Sequence, residues 1–159
     1  MMDAPDEIKS GEVSPAAVTV AEIMRPALST VGRYDHVAAA AYLMKHAATS
    51  ALTIMDGKTD EPIGIITETD VAHAVADRRD LNTLRISDLM TTQPTVVTSN
   101  TSVRDAAEIM TRGRFRHLPV VREKGGLAGM VDITDVCRAL LGEDVSSNDV
   151  QADTATPRG

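Results

Sequence analysis

Two residues with hydrogen-bonding side chains, Thr67 and Asp70, lie where a predicted strand meets a predicted helix. A threonine at such a junction caps the helix, and the free backbone N–H groups beside it favour oxygen-rich or negatively charged groups. Asp70 lies one turn into the helix, and a carboxylate can accept two hydrogen bonds from a ribose diol. The pattern therefore predicts either a ligand site or, without a ligand, a capped helix with an acidic first turn.

Basic residues supply the complementary chemistry. Arg112, Arg114 and Arg116 leave a predicted helix and lead into a strand that begins at His117. A guanidinium group can make a bidentate contact with phosphate, so these arginines are candidate phosphate ligands. Arg25, at the end of the first short helix, is a further candidate. A solvated basic turn is the alternative interpretation of this run.

The strand-to-helix junction occurs twice in the chain. Gly64-Ile65-Ile66-Thr67-Glu68-Thr69-Asp70 returns 65 positions later as Gly129-Met130-Val131-Asp132-Ile133-Thr134-Asp135. Further pairs, 66 positions apart, are Met24 with Met90, Val37 with Val103, Met44 with Met110 and Leu52 with Leu118. This near-constant spacing predicts two copies of one structural unit, related by a pseudo-twofold axis with a cleft between them.

The second copy departs from the first at two points. Asp132 replaces Thr67, so that Asp132 and Asp135 bring two carboxylates to one cleft, which disfavours phosphate unless Mg²⁺ or a lysine intervenes. In the first copy, the stretch that begins Thr49-Ser50 stands where the second has its arginine-rich turn. We therefore expect the cleft at Asp70 to be the stronger site.

An apolar surface completes the candidate site, because Gly64 and Ile65 would let a flat base lie against the strand. The candidate ligand-binding residues are Thr67, Asp70, Arg116, His117, Arg25, Ile65, Asp135 and Thr134. The sequence contains no recognisable set of nucleophile, base and oxyanion donors, so we expect no catalytic residues and no enzyme. None of the four histidines belongs to an H-x-x-x-H or H-E-x-x-H pattern, so no metal site is expected.

Hydrophobic periodicity and turn residues predict the order β-α-β-β-α for each copy. The first copy is predicted to have strands at 27–31, 51–55 and 62–67 and helices at 36–47 and 68–78. The second is predicted to have strands at 95–98, 117–121 and 127–132 and helices at 102–112 and 133–141. Short helices near 19–24, opened by a Thr19–Glu22 capping box, and at 87–91 precede them. Asp35 is the expected N-cap of the helix at 36–47, and Cys137 is expected to be buried.

Composition narrows the classes of function. Aromatic residues make up only 2% of the chain, which argues against a stacking platform for single-stranded nucleic acid. Segments 1–17 and 143–159 each hold four acidic residues and one basic residue, and so carry most of the net charge of −7. We expect these acidic tails to be disordered and neither nucleic acid nor a membrane to be a partner. The chain lacks a membrane-spanning stretch, and a cytoplasmic location is expected.

The repeated Gly-to-Asp motif, the element order and Arg116-His117-Leu118-Pro119-Val120 together resemble a CBS-domain pair, or Bateman module. The resemblance covers about residues 18–142. It implies an α+β fold of tandem pseudo-twofold β-α-β-β-α repeats, with the sheets packed together around a shared core and the helices outside. Repeat 1 would span 18–80, a linker 81–86 and repeat 2 87–142.

The resemblance also implies a function. Such pairs are non-catalytic sensors that need no cofactor and bind AMP, ADP, ATP or S-adenosylmethionine, with or without Mg²⁺, between the repeats. Carried over to this chain, Asp70 would hold the ribose and Arg116 a phosphate, with His117 or Arg114 as helpers. Such modules often form homodimers, and a protein partner of unknown identity is expected. The alternative is a ligand-free interaction module that acts through homodimerisation and a protein partner.

Overall fold

A computed structural model describes residues 18–27 and 31–142, which form two β-sheets with helices packed against them. In chain order the elements are α1 (Val20–Ile23), β1 (Arg25–Pro26), α2 (Val37–Ala47), β2 (Ala51–Met55), β3 (Pro62–Thr67), α3 (Glu68–Ala76), a 3-10 helix (Ile86–Asp88), β4 (Thr91–Thr92), β5 (Val97–Thr98), α4 (Val103–Gly113), β6 (His117–Val121), β7 (Leu127–Asp132) and α5 (Ile133–Leu140). One sheet has the order β2-β3-β4 and the other β1-β7-β6-β5. The predicted α+β fold with two repeated units is confirmed.

The four long strands have the predicted bounds, whereas several short elements differ. Most of the strand expected at 27–31, residues 28–30, lies outside the described residues. Of its two ends, Ala27 is not in a strand, because β1 ends at Pro26, and Val31 forms a single bridge to Ile54. The helix expected at 87–91 is a 3-10 turn followed by β4, and the strand expected at 95–98 is shortened to β5.

Helix capping follows the sequence at most junctions. The Thr19 N–H donates to Glu22 Oε2 at 2.7 Å, as the capping box predicts. Asp35 is not the N-cap of α2, because that position belongs to His36. The Asp35 carboxylate instead accepts the N–H of Gly32 at 2.8 Å and closes the preceding turn. An aspartate carboxylate can accept a hydrogen bond from the N–H of a turn or from the first N–H groups of a helix. Here Asp35 accepts the N–H of the turn.

Each copy lends its first strand to the sheet of the other copy. β1 pairs antiparallel with β7, placing Pro26 opposite Gly129. In the equivalent register β4 pairs with β3, placing Thr92 opposite Gly64. The two sequence repeats are therefore interlocked, and neither sheet is built from one repeat alone.

The structure has two hydrophobic cores, so the predicted shared core is wrong. One core is formed by residues between 31 and 90, and the other by 20–23 together with residues between 97 and 136. Side chains alternate along a strand. Leu52 and Ile54 of β2 therefore face the first core, while Ala51 and Thr53 face away from it. Polar side chains and a cavity occupy the space between the sheets.

Two further expectations concern accessibility. Cys137 is exposed on α5, so its predicted burial is wrong; its counterpart Ala72 is exposed as well. The acidic tails at 1–17 and 143–159 lie outside the described residues. Within 18–27 and 31–142, no helix combines the length and apolar character needed to cross a membrane.

Candidate functional site

A cavity of about 580 Å³ lies between the two sheets. Its walls come from both sheets: β2, the last turn of α2 and the start of α3 form one side, and β1, β6, β7 and the start of α5 form the other. Apolar lining residues include Pro26, Ala27 and Met130, and polar ones include Arg25 and Lys45. The acidic residues Glu68 and Asp132 line the cavity as well, so that apolar surface and polar or charged groups converge there, as in small-molecule sites.

Small residues create this space. Ala47, Ala48 and Ala51 line the cavity where α2 turns into β2, and Ala48 makes the turn with a left-handed φ of 49°. On the opposite wall, a Cβ at Gly129 would clash with the carbonyl oxygen of Arg25. The glycine therefore lets β1 approach β7 closely and holds the β1 residues at the cavity edge.

A hydrogen-bonded group links the two repeats at the cavity. Ser50 Oγ lies 2.7 Å from His117 Nε2, and the same nitrogen lies 3.1 Å from Asp132 Oδ2. Asp132 also caps α5, because its Oδ1 accepts the N–H of Thr134 at 2.6 Å. Burial opposes ionisation of Asp132. Hydrogen bonds from His117 and Thr134 outweigh that burial and lower the pKa of this carboxyl to about 2.

An ion pair joins the cavity edge to the buried start of α5. Arg25 Nε donates to Asp135 Oδ2 at 3.1 Å, and Asp135 is only 2% exposed. Arg138 Nη1 lies 3.8 Å from the other oxygen of that carboxylate. The hydrogen bond to Asp135 raises the pKa of Arg25, while partial burial acts in the opposite direction. Asp135 thus has a cationic partner near each of its carboxylate oxygens.

The structure brings half of the predicted ligand-binding residues together. Arg25, His117 and Thr134 line the cavity, and Asp135 lies directly against Arg25. The other four, Thr67, Asp70, Ile65 and Arg116, do not line it.

Two of these four have evident structural partners. The Asp70 carboxylate accepts the N–H of Thr67 at 2.8 Å and its hydroxyl at 3.0 Å. Arg116 is exposed, and its carbonyl accepts the N–H of Ile133 at 2.9 Å. The ligand roles assigned to Asp70 and Arg116 from the sequence stay predictions.

Three cavity residues escaped the sequence reasoning. Lys45 lies in the last turn of α2 and makes no ion pair with any described residue. Ser50 seemed unremarkable in the sequence, yet it contacts His117. Thr53 places a hydroxyl on a buried strand where the second copy has Pro119. That mismatch between the copies is the signal that could have drawn attention to Thr53.

The first glycine of the repeated motif has a different neighbour from the predicted one. A Cβ at Gly64 would lie 2.7 Å from Met90 Sδ and 3.2 Å from the Thr91 carbonyl oxygen. Met90 and β4 therefore fill the space beside Gly64 in which a flat base was expected to lie. In the part of the chain that is described, no three His, Cys, Asp or Glu side chains are grouped to hold a metal ion.

Comparisons with known proteins agree with this architecture. The sequence profile of the CBS domain matches residues 20–77 and 86–142. A 17.7 kDa protein of Acidianus ambivalens is 36% identical over 130 residues, which cover 82% of this chain and 73% of that protein. The mitochondrial CBS domain-containing protein CBSX3 of Arabidopsis thaliana is 34% identical over 104 residues, or 64% of this chain, and the match spans half of CBSX3.

Solved structures show the same fold. The CBS domain protein PAE2072 of Pyrobaculum aerophilum, complexed with AMP, matches with a TM-score of 0.72 and 25% identity, over 78% of this chain and 95% of that one. CBSX2 in complex with AMP matches with a TM-score of 0.63 and 28% identity, over 78% of this chain and 96% of that one.

Proposed function

Because the chain belongs to the CBS-domain family, we propose that it is a non-catalytic regulatory module that binds an adenine nucleotide between its two repeats. The observation that carries this proposal is the cavity of about 580 Å³, which combines apolar walls with the cationic residues Arg25 and Lys45. Cavities of this size are typical of small-molecule sites. Two relatives of the same fold are complexed with AMP.

The residues that line the cavity indicate where the base and the phosphate of the nucleotide would bind. Pro26, Ala27 and Met130 offer an apolar surface for the base. The carboxylate of Asp132 disfavours phosphate beside it, so the phosphate belongs near Lys45 and Arg25. Lys45 can turn toward a phosphate without breaking an ion pair with a described residue.

Binding of the ribose would compete with a contact inside the protein. For Asp135 to accept ribose hydroxyls, Arg25 must release its carboxylate. The Arg25 side chain is 44% exposed, so it has room to turn toward the phosphate, which offers it a new anionic partner. Because Arg25 lies on β1, such an exchange would transmit binding to the sheet that β1 shares with β7 and so shift the populations of conformations.

Two basic residues, one at the cavity and one at the cleft predicted from the sequence, provide a matched test. Lys45→Met removes a cation from the cavity, and Arg116→Met removes one from the cleft predicted from the sequence; both retain an aliphatic stem. Titration calorimetry on nucleotide-free protein would use AMP, ADP, ATP and S-adenosylmethionine, with and without Mg²⁺. We expect Lys45→Met to weaken binding about tenfold or more, as the loss of a charge-assisted contact implies, and Arg116→Met to change it little.

Each other result has a definite meaning. If Arg116→Met weakens binding and Lys45→Met does not, the nucleotide occupies the Asp70 cleft, and our assignment to the cavity is wrong. If the unmodified protein binds none of these ligands at millimolar concentration, the nucleotide-sensor function itself is refuted.

A second function is favoured by the internal pairing of the site. Arg25 forms an ion pair with Asp135, and His117 Nε2 lies 3.1 Å from the Asp132 carboxylate, so both carboxylates have partners without a ligand. Exposed apolar residues, among them Tyr42 at 60% and Leu141 at 76%, offer contacts for a homodimer or a protein partner. Under this reading the chain is an interaction module. Sedimentation velocity at several concentrations would detect the dimer, and Tyr42→Ser would weaken it if α2 forms the interface.

A further inference from the structure

Thr53 carries a buried hydroxyl without a hydrogen-bond partner. The residue is 5% exposed, and no described group lies within hydrogen-bonding reach of its Oγ1. Buried polar groups are almost always paired, because an unpaired one loses its hydration without compensation. A group from outside the protein that met this hydroxyl would remove that cost.

The hydroxyl belongs to the inter-sheet side of β2. Its neighbours Leu52 and Ile54 are both part of the first core, and alternation along the strand sends Thr53 to the opposite face. Thr53 is among the residues that line the cavity. The equivalent position of the second copy is Pro119, between the core residues Leu118 and Val120. An apolar side chain is therefore compatible with this place in the fold.

The distance from the polar group of the cavity indicates what Thr53 would contact. Thr53 lies three residues after Ser50, which immediately precedes β2, and an extended chain covers about 10 Å over three residues. Ser50 itself contacts His117. A single ligand that reaches both places must be elongated and polar at both ends. The nucleoside part of a nucleotide has this form, with ribose hydroxyls at one end and the heteroatom edge of the base at the other.

We infer that Thr53 is a specificity-determining residue whose hydroxyl hydrogen-bonds the heteroatom edge of the bound base. The inference rests on the proposed nucleotide-binding function and extends it, because the apolar walls alone would accept any flat ring. A hydroxyl can donate to a ring nitrogen and accept from an exocyclic amine. It therefore distinguishes adenine from a ring that lacks those groups.

The test uses two substitutions that separate the hydroxyl from the shape of the side chain. Thr53→Val replaces the hydroxyl with a methyl group, and Thr53→Ser retains the hydroxyl. Calorimetry would measure the adenine nucleotide that the unmodified protein binds most tightly among AMP, ADP and ATP, and, in parallel, its analogues with 7-deazaadenine or unsubstituted purine as the base. Thermal unfolding of the nucleotide-free variants would be recorded as well.

We expect Thr53→Val to weaken nucleotide binding about five- to tenfold, the effect of one uncharged hydrogen bond, while Thr53→Ser stays within about twofold. We also expect at least one analogue to bind the unmodified protein and Thr53→Val equally. The free Thr53→Val protein should melt no lower than the unmodified protein, because its unpaired hydroxyl is gone.

Two outcomes would overturn the inference, and they differ. Equal nucleotide binding by Thr53→Val and the unmodified protein would mean that only water satisfies this hydroxyl, and the proposed function would survive. Absence of nucleotide binding by the unmodified protein would overturn both.

Discussion

The two equivalent glycines of the repeat, Gly64 and Gly129, should respond differently to the same added methyl group. At Gly129 the new Cβ would fall on the Arg25 carbonyl oxygen, well inside van der Waals contact, and 3.2 Å from Met24 Sδ. At Gly64 the nearest atom is Met90 Sδ at 2.7 Å, with a backbone oxygen at 3.2 Å. The flexible end of a methionine can move away, whereas a strand carbonyl cannot.

The magnitudes follow from this difference. Forcing a methyl group into a packed site costs about 1–3 kcal/mol, and the lower backbone entropy of unfolded alanine returns about 0.4–1 kcal/mol. For Gly129→Ala the steric cost should lie near the upper end of its range, because β1 must separate from β7. The net loss in the free energy of unfolding should then be about 2 kcal/mol. Gly64→Ala should lose less than about 1 kcal/mol, since Met90 can change rotamer.

Urea unfolding at fixed pH, followed by circular dichroism, would measure both losses. A difference of at least about 1 kcal/mol should also appear as roughly 3 °C between the melting temperatures of the two variants. Gly129→Ala should in addition weaken nucleotide binding, because Pro26 and Ala27 follow β1 to the cavity edge. Equal losses, or a larger loss for Gly64→Ala, would refute the reasoning from rigid and flexible neighbours.

Three further predictions concern charged and reactive groups. Because its pKa is lowered from 3.8 to about 2, Asp132 stabilises the fold above pH 4, and this contribution is lost as pH falls toward 2. Asn can still cap the helix, so Asp132→Asn removes mainly the charge. Urea unfolding should show a free energy of unfolding about 1 kcal/mol below that of the unmodified protein near pH 7, and this difference should vanish near pH 2. A difference that does not depend on pH would contradict the pairing with His117. Arg25→Gln should lower the free energy of unfolding by about 1–2 kcal/mol in the same assay, because it leaves Asp135 with a weaker partner. Adding Asp135→Asn should recover part of this loss. A double variant less stable than Arg25→Gln would contradict the ion pair. Exposed Cys137 should react with a thiol reagent in the native protein almost as fast as in urea, and strong protection would contradict its exposure.

Local patterns of the sequence were sufficient for the long elements. Short apolar runs between turn residues predicted the bounds of β2, β3, β6 and β7, and the T-x-x-D pattern predicted the cap at Thr67. The two-residue strands β1 and β4 escaped, because they have too few residues for any periodicity. Their place is set by partners far away in the sequence, such as Gly129 for Pro26.

The arrangement of the site was harder to predict for a related reason. Asp132 was expected to leave an uncompensated charge, but its carboxylate accepts hydrogen bonds from His117 and from the N–H of Thr134. Lys45 reaches the cavity only because α2 ends beside β2, which a pattern of residue types does not specify. Cys137 was placed by a general preference of cysteine for burial, and the orientation of α5 overrides that preference.

The exchange of first strands between the sheets has a consequence for synthesis on the ribosome. Residues 31–92 hold all the strands of one sheet and nearly all of its core, so this half can fold as soon as it has emerged. The segment with α1 and β1 is made earlier, but its partner β7 follows about a hundred residues later, or roughly 5–20 s at usual rates of translation. During that time α1 and β1 remain unpaired while residues 31–92 can already fold. The order of folding thus differs from the order of synthesis, and a pause in translation before β7 would prolong the period in which α1 and β1 are unpaired.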